Sequence, residues 1–225
     1  MNAMNPSVVI TARDVSRTYQ SEHGEVVGLQ PISFDIAPGS FIAFKGRSGS
    51  GKTTLLNCLG GLDAPTSGQL SIFDTDMSSM SDEYRTRWRR QHVGFIFQQM
   101  GLLHRFSAYE NLDVMARLGN VPRRERKDRI LYSLALVGLR EYADHRPFEM
   151  SGGQQQRVAI ARALVAAPKL ILADEPTSEL DSETTHDILE AFRQIVEDQG
   201  VTFLLSSHDP LVDEYVDDTI FLTKH

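Results

Sequence analysis

The chain has 225 residues, 41% of them hydrophobic and 24% charged, with a formal net charge of -7. That is ordinary globular composition with length enough for a sizeable core, and the acidic balance argues against a nucleic-acid coat protein. A single cysteine, Cys58, excludes a disulfide framework and suits a reducing cytosol. It sits on the apolar side of a predicted helix and reads as a small buried filler rather than a nucleophile. No apolar run approaches the ~20 residues that cross a bilayer, and no charged-then-apolar leader opens the chain, so any membrane role is borrowed from a partner.

Residues 8–19 read as a strand entering a turn. It ends at Tyr19, whose ring could stack on a base or simply pack. Ile32, Phe34 and Ile36 alternate with Ser33 and Asp35, the pattern of a half-exposed strand. Pro38-Gly39 is a turn signal, and residues 40–45 form the next strand. Strands joined so closely are expected to pair antiparallel, as a small sheet flanking the core.

That strand delivers Gly46-Arg47-Ser48-Gly49-Ser50-Gly51-Lys52-Thr53-Thr54, followed by the helical pattern of Leu55, Leu56 and Leu59. The spacing is G-x-x-x-x-G-K-[ST], the phosphate-binding loop of nucleoside triphosphatases. Glycines let consecutive N–H groups turn inward around a phosphate, and a helix N-terminus adds its positive dipole end. Lys52 is a cation for the terminal phosphates, and the Thr53 hydroxyl can ligate Mg²⁺.

Residues 60–68 form a loop and 69–73 a short strand. Residues 81–91 are helical and rich in arginine (Arg85, Arg87, Arg89, Arg90), which the acidic whole makes a solvated face rather than a nucleic-acid patch. An apolar strand, 92–97, ends at Gln98. From 100 to 149 no strand pattern occurs: Ser107 and Glu110 have capping-box spacing ahead of Leu112 and Met115, and Ile130, Leu131, Leu134 and Val137 keep a helical period up to Gly138. This is a helical insertion.

The α/β rhythm then returns. Ser151 can cap a helix running to Pro168, and residues 169–173 form a strand buried on both faces. A helical stripe (Ile188, Leu189, Phe192, Ile195, Val196) ends at Gly200. Residues 201–205 are a further buried strand with His208 just past its end, and 219–222 a last short one. The fold class is therefore α/β: a phosphate-loop NTPase core with a mostly parallel sheet, a flanking antiparallel β part near residues 8–45, and a helical insertion over about 100–150. All of it belongs to one domain. Ligands gather at the carboxyl ends of such strands, where Gln98, Asp174, Glu175 and His208 stand.

Two adjacent acids close the buried strand. Asp174 suits a magnesium site, and Glu175, pointing elsewhere, suits a general base for the attacking water. Ser151, Gly152, Gly153 and Gln154 make a second anion-binding helix start. One phosphate chain rarely needs two such cradles.

With that motif the chain resembles the ATP-binding cassette ATPases, the nucleotide-binding components of a transporter superfamily. The phosphate loop, Gln98, the Ser151–Gln154 signature, residues 170–176, Ser178-Glu179-Leu180-Asp181 and His208 match in order over essentially the whole chain. The resemblance implies an ATPase using ATP and Mg²⁺, with Tyr19 stacking on adenine. It implies that Gln98 senses the metal and the water, and that His208 holds the γ-phosphate beside Glu175. Ser151 and Gly153 would touch the ATP held by Lys52 of a second copy, with Asp181 linking the copies. Two cassettes would thus sandwich two ATP molecules head to tail. The implied partners are that second copy and membrane permease subunits, with no nucleic acid. The implied location is cytoplasmic, on the inner face of the membrane through the permease.

Gly60-Gly61-Leu62-Asp63, residues 93–98 and residues 154–163 resemble the subgroup serving lipoprotein release, macrolide and peptide export, and cell division. Ser178-Glu179 stands where that subgroup has Gly-Asn, Met150 replaces leucine, and the chain stops at residues 223–225 without the family's usual tail. The alternatives are a soluble DNA-maintenance ATPase, a cell-division regulatory ATPase, and a nucleotide-binding regulatory module without turnover. The first normally carries long coiled-coil arms, absent from residues 100–149, and Glu175 with His208 disfavours the module without turnover.

Overall fold

The computed structural model describes residues 8–22, 24–178 and 180–223. Glu179 and the last two residues, named above, lie outside the described residues. In chain order the strands are β1 (Ile10–Ser21), β2 (Gly24–Ile36), β3 (Phe41–Lys45), β4 (Ser67–Ile72), β5 (Thr75–Asp76), β6 (Val93–Ile96), β7 (Leu170–Asp174), β8 (Thr202–Ser206) and β9 (Asp218–Phe221). The helices are α1 (Lys52–Leu59), α2 (Asp82–His92), α3 (Ala108–Leu118), α4 (Arg123–Leu136), α5 (Gly152–Leu164) and α6 (Ser182–Gln199).

A parallel sheet in the order β6-β7-β8-β3-β9 forms the centre. The middle residues of its inner strands are apolar because both faces are covered. Alternate residues part to opposite sides, as the two-residue strand period requires. Phe41, Ala43, Ile171, Ala173, Phe203 and Leu205 join the core built with α5 and α6. Ile42, Phe44, Leu170, Leu172 and Leu204 join the core built with α1 and the antiparallel sheet. Between β6 and α5 the described residues hold helices and no strand, and α3 and α4 pack on α5. Ser107 and Ser151 each form a reciprocal capping box, and Gly200 closes α6 in the left-handed region.

Two expectations are corrected. β2 and β3 do not pair with each other. β2 pairs with β1 from Ile10↔Ile36 onward, in an antiparallel sheet of order β2-β1-β4-β5, whereas β3 lies between β8 and β9. The reason is burial: all five residues of β3 are buried, which only the doubly covered sheet provides, while β2 has an exposed side. The turn between them crosses from one sheet to the other, with the Gly39 N–H donating to Thr202 Oγ1. The antiparallel sheet accordingly recruits β4 and β5, well past residue 45.

Nor is the arginine-rich helix a uniformly solvated face. Arg87 and Arg90 are exposed, but Arg85 donates to the Met80 carbonyl and pairs with Asp82, and Arg89 donates to the Gly61 carbonyl. Burial, with Arg90 and Arg85 nearby, lowers the Arg89 pKa. Arg89 thus fastens the loop after α1, and Arg85 the residues that lead into α2.

The candidate nucleotide site

β6, β7, β8 and β3 are consecutive in the sheet, so their carboxyl ends bring Gln98, Asp174, Glu175, His208 and the glycine-rich loop together. A cavity of about 910 Å³ opens there, lined by Tyr19, Gly46, Ser48, Gly49, Gly51, Lys52, Thr53, Thr54, Gln98, Glu175 and His208 among others. A second cavity of about 560 Å³ lies at the opposite end of the sheet, between α4 and the α5–β7 connection. It holds none of these groups.

The loop has the form an anion needs. Gly49 and Gly51 have φ of 76° and 96°, and a Cβ at Gly51 would lie 2.6 Å from the Gly28 carbonyl oxygen. Only glycine permits both the dihedral and the approach. No side chain caps α1, which leaves its first-turn N–H groups available to a phosphate. Lys52 Nζ donates to the Gly46 carbonyl at 2.9 Å and stands 3.8 Å from Glu175 Oε1. ATP therefore fits the donors present.

Mg²⁺ fits as well. Thr53 Oγ1 donates to Asp174 Oδ2 at 2.8 Å, so a hydroxyl and a carboxylate, both hard oxygen ligands, already share one point. Ser206 Oγ donates to Asp174 Oδ1 at 2.6 Å and fixes that carboxylate. Glu175 has φ 46°, a left-handed conformation that costs a non-glycine residue on the order of 1–3 kcal/mol. Its N–H donates to the Ser206 carbonyl and hydroxyl, which hold it there. His208 Nδ1 donates to Glu175 Oε2 at 2.9 Å. The acid is thereby held between an imidazole and an ammonium.

At the far side of the cavity, a Cβ at Gly28 would strike the Tyr19 ring at 2.4 Å, so glycine makes room for that ring. The Tyr19 hydroxyl donates to Asp63 Oδ2 at 2.8 Å, and Arg17 pairs with Asp63 while lying over the ring. Burial, then the Asp63 hydrogen bond, raises the Tyr19 pKa.

Other expected site residues lie elsewhere. Ser50 is buried beneath Gly46, outside the cavity lining. Ser151, Gly152, Gly153 and Gln154 are not in the lining either. Ser151 Oγ accepts from the Gln154 N–H while the Ser151 N–H donates to Gln154 Oε1. A Cβ at Gly152 would meet nothing within 4 Å, and one at Gly153 would touch Thr184 Cγ2 at 2.9 Å. Asp181 caps α6, accepting from the Thr184 N–H and hydroxyl, and these bonds lower its pKa.

Sequence reasoning passed over Ser206 and the lining residues Val26, Val27 and Gly28, and it named Arg47, Asp63 and Ser178 only within motifs, with no role in the site. For Ser206 a signal existed, because it ends a buried strand two residues before His208.

Fold and site together define a phosphate-loop ATPase, a nucleotide cassette. More narrowly, the chain belongs to the ABC transporter family, whose model matches residues 29–178. It is 43% identical to the ABC transporter ATP-binding protein YtrE of Bacillus subtilis, over 84% of this chain and 82% of that protein. It is 44% identical, over 91% of its own length, to the macrolide export ATP-binding/permease protein MacB of Syntrophobacter fumaroxidans, but spans only 29% of MacB. Among solved structures it is similar to the dimeric ATP-binding cassette MJ0796 in a post-hydrolysis state with ADP and Pi. There the TM-score is 0.86 and the identity 36%, covering 95% of this chain and 94% of that one.

Proposed function

We propose that the chain binds ATP and Mg²⁺ on the Gly46–Thr54 loop and hydrolyses ATP only between two copies arranged head to tail, so driving a membrane permease. Each copy is one cassette domain: a core of residues 1–99 and 151–225, with a helical insertion between. Lys52 and the first turn of α1 hold the terminal phosphates, and Tyr19 offers its ring to the base. Thr53, Asp174 and Gln98 face the metal, whose chemistry is neutralisation of phosphate charge. Glu175, oriented by His208, takes the proton of the attacking water. Ser151, Gly152, Gly153 and Gln154 complete the other copy's site, and Asp181 stands at the seam.

The observation that carries this reading is the separation of the two cradles. The signature residues stand outside their own cavity, with Gly152 clear of its own chain. Among the described residues no helix is long and apolar enough to cross a membrane. In this reading the permease would hold the cassette on the inner face. In sequence the chain resembles the subgroup of lipoprotein release, macrolide and peptide export, and cell division. The two-helix insertion (α3, α4) leaves nothing resembling the long arms of DNA-maintenance ATPases.

A mixing experiment tests the sandwich. Lys52→Ala and Ser151→Phe chains should each be inactive. Mixed in equal amounts, half the dimers contain one intact composite site, and ATPase activity should rise above the sum of the two parents. A mixture no faster than that sum, with both chains folded, would refute the split site.

A further inference from the structure

Residues 97–107 carry Gln98 from β6 to α3 and contain neither helix nor strand. The backbone groups of such a segment need partners from elsewhere, and two side chains provide them. Asn111 of α3, itself buried, accepts from the Leu103 N–H and donates to the carbonyls of Leu103, Phe106 and Ser107. Arg162 of α5 donates from Nη1 to the Gly101 carbonyl and from Nη2 to the Met100 carbonyl, both at 2.6 Å.

Arg162 is an unusual choice for such a task. Burial lowers its pKa, and among the described residues no carboxylate pairs with it. A half-buried cation without an anion is costly to keep. What the guanidinium adds is a rigid fork whose donors reach two successive carbonyls at once. Gly101, in the left-handed region with φ 56°, completes the turn that presents both. Three residues upstream Gln98 lines the nucleotide cavity. The opposite end of α5, about 16 Å away at 1.5 Å per residue, carries Ser151. One rigid rod therefore has the signature at one end and the fastening of the Gln98 loop at the other.

We propose that Arg162 is a positioning residue for Gln98: it fastens the Gln98 loop to α5, so that a displacement of the Ser151 end is delivered to the metal-facing glutamine. This rests on the role assigned to Gln98 above.

The test compares Arg162→Lys and Arg162→Gln in the wild-type chain and in a Gln98→Ala background. Misplacement of Gln98 should lower kcat roughly tenfold or more in both variants, with ATP affinity within about twofold of wild type. Lysine should not rescue, because one ammonium cannot reproduce the fork. In the Gln98→Ala background neither change should lower kcat further. Hydrogen exchange at residues 98–101 should quicken while β7 and β8 stay protected. Wild-type kcat in Arg162→Lys, an equal loss in both backgrounds, or unchanged exchange would each overturn the proposal. If Arg162→Gln fails to fold, Arg162→Lys, which retains stem and charge, decides alone. Glu175→Gln is measured beside them. If it turns over at wild-type speed, the catalytic reading fails instead, and the exchange rates still judge the clamp.

Discussion

Glu175→Gln should separate turnover from binding, and the structure gives both signs. Losing a general base typically costs 10²- to 10⁴-fold, about 3–5 kcal/mol of barrier. Binding moves the other way. Glu175 Oε1 lies 3.8 Å from Lys52 Nζ, with the side chains only 17% and 11% exposed. At an effective dielectric near 20 that attraction is about 4 kcal/mol gross, offset in part by desolvation. Lys52 must leave this partner to meet a phosphate, so glutamine removes a competitor as well as a repelling charge. If only a third of the gross term survives, ATP binds about tenfold tighter. Phosphate-release kinetics read the first effect, and titration with a fluorescent ATP analogue reads the second. Turnover within tenfold of wild type, or weaker ATP binding, would refute the reasoning.

Lys52→Ala should weaken ATP binding by roughly 1.5–3 kcal/mol, the worth of a charge-assisted bond, and equal affinity in the same titration would count against its placement. Asn111→Ala leaves several partly buried backbone groups without their side-chain partner and should cost about 1–3 kcal/mol of unfolding free energy in urea. Burial pushes the Cys58 thiol up to about 12 from an ordinary 9.0. Below the unfolded value its contribution to stability is complete. Above it the unfolded chain loses the proton first, so stability falls with rising pH by roughly 1.4 kcal/mol per unit up to the folded value. Comparing urea midpoints of wild type and Cys58→Ala at pH 8 and 10 checks this. Native Cys58 should also resist alkylation at pH 8 until denaturant is added.

Parts of the fold were legible wherever one local rule decided them. Unbroken apolar runs gave the doubly covered strands, capping boxes gave the starts of α3 and α5, and the glycine-rich spacing gave the phosphate loop. What failed was inference across a turn. Pro38-Gly39 looks like a hairpin because its flanking strands are close in sequence, yet burial of all five β3 residues outweighs that proximity. Arg85 and Arg89 misled in a similar way, because a charged helix says nothing about which carbonyls its stems can reach. The strand-end acids and His208 could be placed from their position alone. Ser206, which holds both Asp174 and the strained Glu175 backbone, has no motif beyond its place at a strand end near His208, and what it holds appears only when β7 and β8 are seen side by side.

The two cradles are built differently, and the difference fixes an order of events. α1 starts behind Gly51 with no side chain on its first-turn donors, so a bound anion completes that helix end. α5 starts behind Ser151 with its box closed, which satisfies the N–H groups of Ser151 and Gln154 and leaves those of Gly152 and Gly153. It is stable unaided and still receptive. Two copies meeting without nucleotide would leave the donors of α1 unanswered and bring nothing anionic to α5. In the proposed sandwich, ATP on one copy's loop would offer its outer phosphate oxygens as the acceptors that the other copy's α5 lacks. In the sandwich proposed here, nucleotide therefore binds first and association follows, because the ligand is the contact.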